Sequence, residues 1–338
     1  MYKFLLRRLL VIIPTLLGVT LATFLIAHFI PGEPLAAILG QRALDNEEIV
    51  THYRAKWGLD KSLPEQFLIY LGNLVQGDLG VSIRMQRPVV DDLAEFFPAT
   101  VELAAGALLL SIIGGVLLGV LAAIRRDTAV DQAVRVIALV GSSMPVFWMA
   151  LIFLQIFYAK LAWFPGPGRL DSILVPPPQV TGLYVIDGLL AGDWEVAWNA
   201  ITHLALPSLV LGWYQMGLIA RITRAAMLEA LEADYVRTAR AKGLAEKLVI
   251  YRHVFRNAML PILTVIGLAV AGLMAGAVQT ETIFSWPGIG RYAVHSSESL
   301  DFPGIMGVTL LISVLFIGSS LVVDVLYGLL DPRVRATE

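Results

Sequence analysis

At 338 residues, 57% hydrophobic and only 15% charged, the chain is too apolar for a soluble domain and falls among membrane proteins. Its net charge of −2 says nothing about partners, because the charges are segregated along the chain. It contains no cysteine, which excludes a disulfide framework, a thiolate nucleophile and a thiolate metal site.

Six uncharged stretches reach the ~20 residues a helix needs to cross a bilayer. They are Leu9–Ile30, Leu103–Ile124, Val136–Ala159, Ile201–Ala220, Ala258–Thr280 and Gly304–Val323. Backbone groups in lipid must be satisfied within their own segment, so all six are expected to be helices. Lys3, Arg7 and Arg8 ahead of the first run mimic a signal peptide. The run is too long for one and lacks a small-residue cleavage site, so a retained span is expected. Sixteen Lys and Arg fall on the N-terminus, Arg125–Arg135, Arg221–Asn257 and the C-terminus; nine are spread over the intervening, longer segments. Short basic loops mark the cytoplasmic side, which places both termini there.

The first external segment, Pro31–Pro98, is long enough for a small subdomain and carries ten acids against six bases. Its Glu47–Trp57 portion is polar and helix-like, Pro64–Leu74 reads as a helix, and Gly77–Ser82 as a turn into a short extended piece. A functional cap and a folded spacer are both open readings. The second, Lys160–Ala200, holds Pro165-Gly166-Pro167-Gly168 and Pro176-Pro177-Pro178, which punctuate a loop rather than build a core. Within the spans, Gly115 and Gly119 are four apart, as are Gly272 and Gly276, a spacing that lets helices approach closely. Pro145 and Pro207 each remove a helical hydrogen bond and invite a kink. Met144 and Pro145 are candidates for the wall of a translocation path, and so is Gln215, whose amide needs a helix partner or pathway water. Glu102 is expected at the external border of the second span, where it avoids the cost of a charge in lipid. His28 and His203 are expected near external helix ends, and Asp324 at the internal end of the sixth span.

The chain's longest hydrophilic run with a basic excess is Arg221–Pro261, with eight basic residues against four acids. Leu228, Leu231, Tyr235 and Ala239 recur at helical spacing, and Gly243 is a natural stop, because glycine reaches the left-handed conformation without a Cβ penalty. A second short helix fits Leu248, Tyr251, Phe255 and Ala258. Such an element between spans can lie on lipid headgroups or dock into a partner.

The string Asp234-Tyr235-Val236-Arg237-Thr238-Ala239-Arg240-Ala241-Lys242-Gly243, followed by Arg256-Asn257-Ala258-Met259-Leu260-Pro261, resembles the coupling loop of binding-protein-dependent ABC importer permeases. Within them it is most similar to the dipeptide/oligopeptide family, B-type transmembrane subunit. Glu281–Arg291, including Phe284 and Trp286, and the tail Leu330–Arg335 resemble the same family. One departure stands out: the superfamily carries Glu-Ala-Ala, three residues, then Gly, whereas Arg237, Thr238 and Ala239 occupy those positions here.

The resemblance implies an all-α integral membrane protein with the type I ABC importer permease fold: six transmembrane helices and a periplasmic insertion after the first. The expected division is residues 1–30 as the first helix, 31–98 as the insertion and 99–335 as the permease core, with the coupling loop at 221–257. The implied function is half of a translocation pathway for di- or oligopeptides in a bacterial or archaeal cytoplasmic membrane. Nickel chelates, glutathione or sugars are alternative cargoes of the family, and a self-sufficient secondary transporter is an alternative class. The implied partners are a second homologous permease, two cytoplasmic ATPases, and a periplasmic or tethered binding protein. Tyr235, Arg237, Ala239, Arg240 and Gly243 are the candidate ATPase contacts; Phe284 and Trp286 are either an external gate or an interfacial anchor. The chain has no Gly-x4-Gly-Lys-Ser/Thr loop and no His-Glu-x-x-His motif, and its five histidines lack ligand spacing. No catalytic role, metal, cofactor or nucleic acid is therefore expected. No acidic residue lies inside any of the six stretches, which counts against ion-coupled secondary transport. Gly141-Ser142-Ser143 suggests a serine nucleophile only superficially, because no histidine shares its span.

Overall fold

The computed structural model describes residues 2–29 and 61–330. Among these the chain is helical, with no strand beyond an isolated antiparallel bridge between Val81 and Pro88. The helices are α1 (Tyr2–Phe29), α2 (Leu63–Val75), α3 (Val89–Ile124), α4 (Ala129–Ser143), α5 (Val146–Phe153), α6 (Tyr184–Leu190), α7 (Trp194–Glu232), α8 (Asp234–Ala241), α9 (Phe255–Ile283), α10 (Ile289–Glu298) and α11 (Phe302–Leu330). Three helical segments are long and apolar enough to cross a membrane, Val89–Ile124, Glu246–Val270 and Phe302–Leu321. Counting α4 with Val146–Lys160 as one broken span makes four. The helix-like Glu47–Trp57 portion expected from the sequence lies outside the described residues, as do the tail beyond Leu330 and the side chains of His28 and Asp324.

The chain divides into two units: Met1–Thr100 with Pro287–Gly318, and Val101–Trp286 with Ser319–Glu338. In the first, Val89, Leu93, Ile289, Tyr292 and Val308 form one buried cluster, and Phe24, Phe302 and Met306 another. The expected helix at Pro64–Leu74 is α2, which Ser62 opens in a reciprocal cap with Glu65. The turn at Gly77–Ser82 is present, and Gly77 and Gly80 hold φ of 81° and 85°. Two buried carboxylates organise the polar interior of this unit. Asp301 accepts from Ser82 Oγ at 2.5 Å and from the Ile83 N–H at 2.9 Å, while Asp92 accepts from the Tyr292 hydroxyl at 2.9 Å and pairs with Arg87. Burial, foremost, and these carboxylates push the Tyr292 phenol up from its ordinary value.

In the second unit α7 is central, packing against α3, α4, α6 and α9. The expected close approach on α3 is present. A Cβ at Gly115 would stand 2.7 Å from Ile219 Cβ, and one at Gly119 would stand 2.5 Å from Thr223 Cβ and 2.7 Å from the Ala220 carbonyl oxygen. Ser111 Oγ donates across the same seam to the Gly212 carbonyl at 2.9 Å. Gly272 of α9 meets Gln215, whose Nε2 would lie 2.3 Å from a Cβ there, so the Gln215 amide is buried at a helix contact.

Two prolines behave differently. The expected span Val136–Ala159 is broken at Met144–Pro145, and its halves bend by 111°. α7 instead continues through the buried Pro207. Losing one hydrogen bond need not break a helix that neighbours hold on several sides, whereas Met144 is extended (ψ 135°) and ends α4 outright.

The Lys160–Ala200 segment is more ordered than its prolines suggest. Arg169 is buried in it, donates to Glu102 at 2.5 Å and to the Gly182 carbonyl at 3.0 Å, and lies 3.7 Å from the centre of the Tyr184 ring. Glu102 is itself buried, and this cation neutralises it inside the protein. Asp187 opens α6 and accepts from the backbone N–H groups of Val180, Thr181 and Gly182 and from the Thr181 hydroxyl. Burial opposes ionisation of Asp187, but these hydrogen bonds outweigh it and lower its pKa.

Candidate docking surface

The basic segment folds as a short helix standing on a hydrophobic bed. α7 runs to Glu232, Ala233 turns extended (ψ 148°), and α8 starts at once with Asp234. Gly243 follows α8 with φ 74°, and its N–H closes the turn on the Arg240 carbonyl at 2.9 Å. Next come a helical turn, Glu246–Leu248, and a π-helical turn, Val249–Val254, which leads into α9. Val236 and Ala239 point inward and pack with Met227, Val249, Val254, Ala258 and Ile262, and with Val120 and Ala123 of α3.

The break at Ala233 changes which residues face out. An unbroken helix would align Tyr235 with Leu228, Leu231 and Ala239. The extended residue resets the phase, so Val236 takes the buried place and Tyr235 is 40% exposed. The same happens in the second helix, where the wider π turn buries Val249, Ile250 and Val254 and leaves Tyr251 60% exposed.

Of the five candidate docking residues, four share the outer surface: Tyr235, Arg237, Arg240 and Gly243. Ala239 is turned inward. Arg237 is the freer of the two arginines, with a side chain 76% exposed and only a 3.5 Å contact to Asp234. Arg240 spans the Gly243 turn to Glu246 at 2.6 Å, and this hydrogen bond lowers the Glu246 pKa. Thr238, Lys242, Leu244 and Leu248 are also exposed on this surface. The result is a basic, partly apolar platform with a packed apolar base.

The other candidates lie apart from it. Met144 and Pro145 form the α4–α5 elbow, part-buried and exposed respectively. Phe284 and Trp286 are both buried; Phe284 packs with Met149, Leu206 and Val210, and its carbonyl accepts from the Gly168 N–H at 2.8 Å. The Arg169 guanidinium lies 5.6 Å from the Trp286 ring centre.

Sequence reasoning missed one pair beneath the platform. Asp131, in the first turn of α4 and before the apolar stretch begins, is fully buried and holds Arg224 of α7 in a two-pronged ion pair, 2.7 Å at each oxygen. The only hint in the sequence is an acid close to an apolar run, which names no partner.

Membrane-length helices joined to a structured, basic, exposed platform are the features that the family comparisons must account for. Residues 115–336 match the model of the binding-protein-dependent transport system inner membrane component, and residues 1–104 match the N-terminal model of such membrane components. The probable D,D-dipeptide transport system permease protein of Escherichia coli K12 is 48% identical over 94% of this chain and 93% of its own length. The di/tripeptide transport system permease protein of Pseudomonas aeruginosa is 46% identical over 99% of both, and the glutathione transport system permease protein of Escherichia coli O6:H1 is 37% identical over 99% of both. The chain belongs to the family of binding-protein-dependent transport system inner membrane components, the permeases of ABC importers.

Proposed function

We propose that the chain is one of two homologous permease subunits lining the path of a di- or oligopeptide importer. It crosses the membrane six times, with both termini in the cytoplasm and a periplasmic insertion between the first two spans. The other half of the path is a second permease of the same fold, and a periplasmic or tethered binding protein delivers cargo. Two cytoplasmic ATPases bind and hydrolyse the ATP; this chain carries no nucleotide chemistry. α8 docks on an ATPase through Tyr235, Arg237, Arg240 and the Gly243 turn, with Ala239 holding α8 down from beneath. Met144, Pro145 and Gln215 line or hinge the path, while Phe284 and Trp286 anchor its external end.

Peptide cargo rests on the relatives, whose names at 41–48% identity all specify di- or tripeptides. A glutathione permease at 37% identity makes that tripeptide the second reading. The docking role rests on one observation: a helix bedded on its inner face by Val236 and Ala239 still presents an aromatic residue and arginines outward. Charge reversal of Arg237 and Arg240 to Glu tests it. Membrane insertion should be unchanged and uptake should fall by at least tenfold, about 1.4 kcal/mol of lost contact. Arg237→Glu alone is the cleaner arm, because Arg240→Glu also breaks the bond to Glu246. Wild-type uptake by both variants would remove α8 as the docking element.

A further inference from the structure

Asp131 and Arg224 belong to a larger fastening. The Asp131 carboxylate takes a third hydrogen bond, from the Asp127 N–H at 3.1 Å. Thr223, next to Arg224, is the residue against which Gly119 of α3 packs. Farther along α7, Glu232 bridges Arg126 of the same α3–α4 turn at 2.9 Å. α8 begins two residues beyond Glu232. Beyond Asp131, α4 lies on α7 through two close contacts: Ala138 with Gly217, and Gly141 with Trp213. α4 then ends at the Met144–Pro145 elbow.

The two ion pairs differ in kind. Arg126 and Glu232 are 54% and 69% exposed, and such surface pairs hold little. Asp131 is sealed from water and bound in planar, two-pronged geometry, so displacing Arg224 would leave a buried charge without its partner. The other α4–α7 contacts include one hydrogen bond between neutral groups, from Trp213 Nε1 to the Ile137 carbonyl at 3.3 Å; none of them holds a buried charge, so none opposes sliding as this pair does.

We propose that Asp131 and Arg224 are positioning residues for transport: their bond makes α4 follow α7 when α8 is displaced, and so delivers that displacement to the Met144–Pro145 elbow. This rests on the reading of α8 as the ATPase contact. Neither residue meets ATP or cargo. Without the bond, ATP-driven movement of α8 is absorbed as slippage between α7 and α4.

The test uses the whole transporter, this chain with its co-purifying subunits, in liposomes, with radiolabelled alanyl-alanine as probe. The readout is peptide imported per ATP hydrolysed. Asp131→Asn should assemble, hydrolyse ATP within about twofold of wild type, and import roughly tenfold less peptide per ATP, in the range of ordinary coupling effects. Arg126→Ala should leave the ratio unchanged. Exchanging the charges, Asp131→Arg with Arg224→Asp, should recover at least half of the loss. A ratio unchanged in Asp131→Asn overturns the inference. So does a loss that only mirrors failed assembly and that the exchanged pair does not repair. A wild-type complex that imports no peptide overturns the functional reading, and the inference with it; a working wild type matched by Asp131→Asn overturns the inference alone.

Discussion

Three of the buried carboxylates in the second unit are answered in two ways: Glu102 and Asp131 by arginines, Arg169 and Arg224, and Asp187 by backbone N–H groups and a hydroxyl. Neither ion pair is visible in the sequence, because the partners stand 67 residues apart for Glu102 and Arg169 and 93 apart for Asp131 and Arg224. Local spacing cannot report a bond that only tertiary packing creates. The Glu102–Arg169 pair yields a prediction at this scale. Arg169→Met alone strands the Glu102 carboxylate and should cost about 3–5 kcal/mol. Adding Glu102→Gln removes the stranded charge and should restore a large part of that loss. Thermal stability of the detergent-purified chain, followed by size-exclusion fluorescence, measures both; a double variant less stable than Arg169→Met would show that burial of the charge is not what makes the single change costly.

At the scale of elements, local chemistry was far more legible. Gly243 was expected to stop a helix and does so with φ 74°. Gly115 and Gly119 were expected at a helix contact and lie there. What the periodicity could not supply was phase. One extended residue, Ala233, and one π turn, Val249–Val254, each move the outward face, exposing Tyr235 and Tyr251 in place of Val236 and Ile250. Both departures are invisible to residue spacing, since alanine favours the helix it here interrupts. Gly243→Val tests the stop. A β-branched residue in the left-handed region costs about 1–2 kcal/mol, which should shift the turn without disturbing the spans. Uptake should fall several-fold while the variant still reaches the membrane in wild-type amount; full uptake would mean that the turn tolerates a Cβ and does not set the platform.

For the whole molecule, family membership was readable from Asp234–Pro261 and Glu281–Arg291, whose mix of charged, aromatic, glycine and proline residues is more distinctive than the apolar composition of the spans. The elbow at Met144–Pro145 was legible as a kink at Pro145 but not in its size: composition sees one apolar stretch where the chain turns by 111°. The purified chain alone should hydrolyse no ATP, and adding the ATPases that follow it in a mild-detergent pull-down should restore hydrolysis. Hydrolysis by the chain alone, free of co-purifying subunits, would contradict the division of labour. The length of α7 has its own consequence. Its 39 residues span about 58 Å, nearly twice the ~30 Å of a bilayer's hydrocarbon. The platform at its end is thus set by a count of residues. Each residue inserted in α7 would lift α8 by ~1.5 Å and rotate it by ~100°. A single insertion would swing Val236 and Ala239 off their bed, and only a change of about seven residues, two full turns, would bring them back. Along α7 a substitution alters one contact, whereas a change of length moves the whole platform, as filing one tooth of a key differs from shifting the spacing of them all.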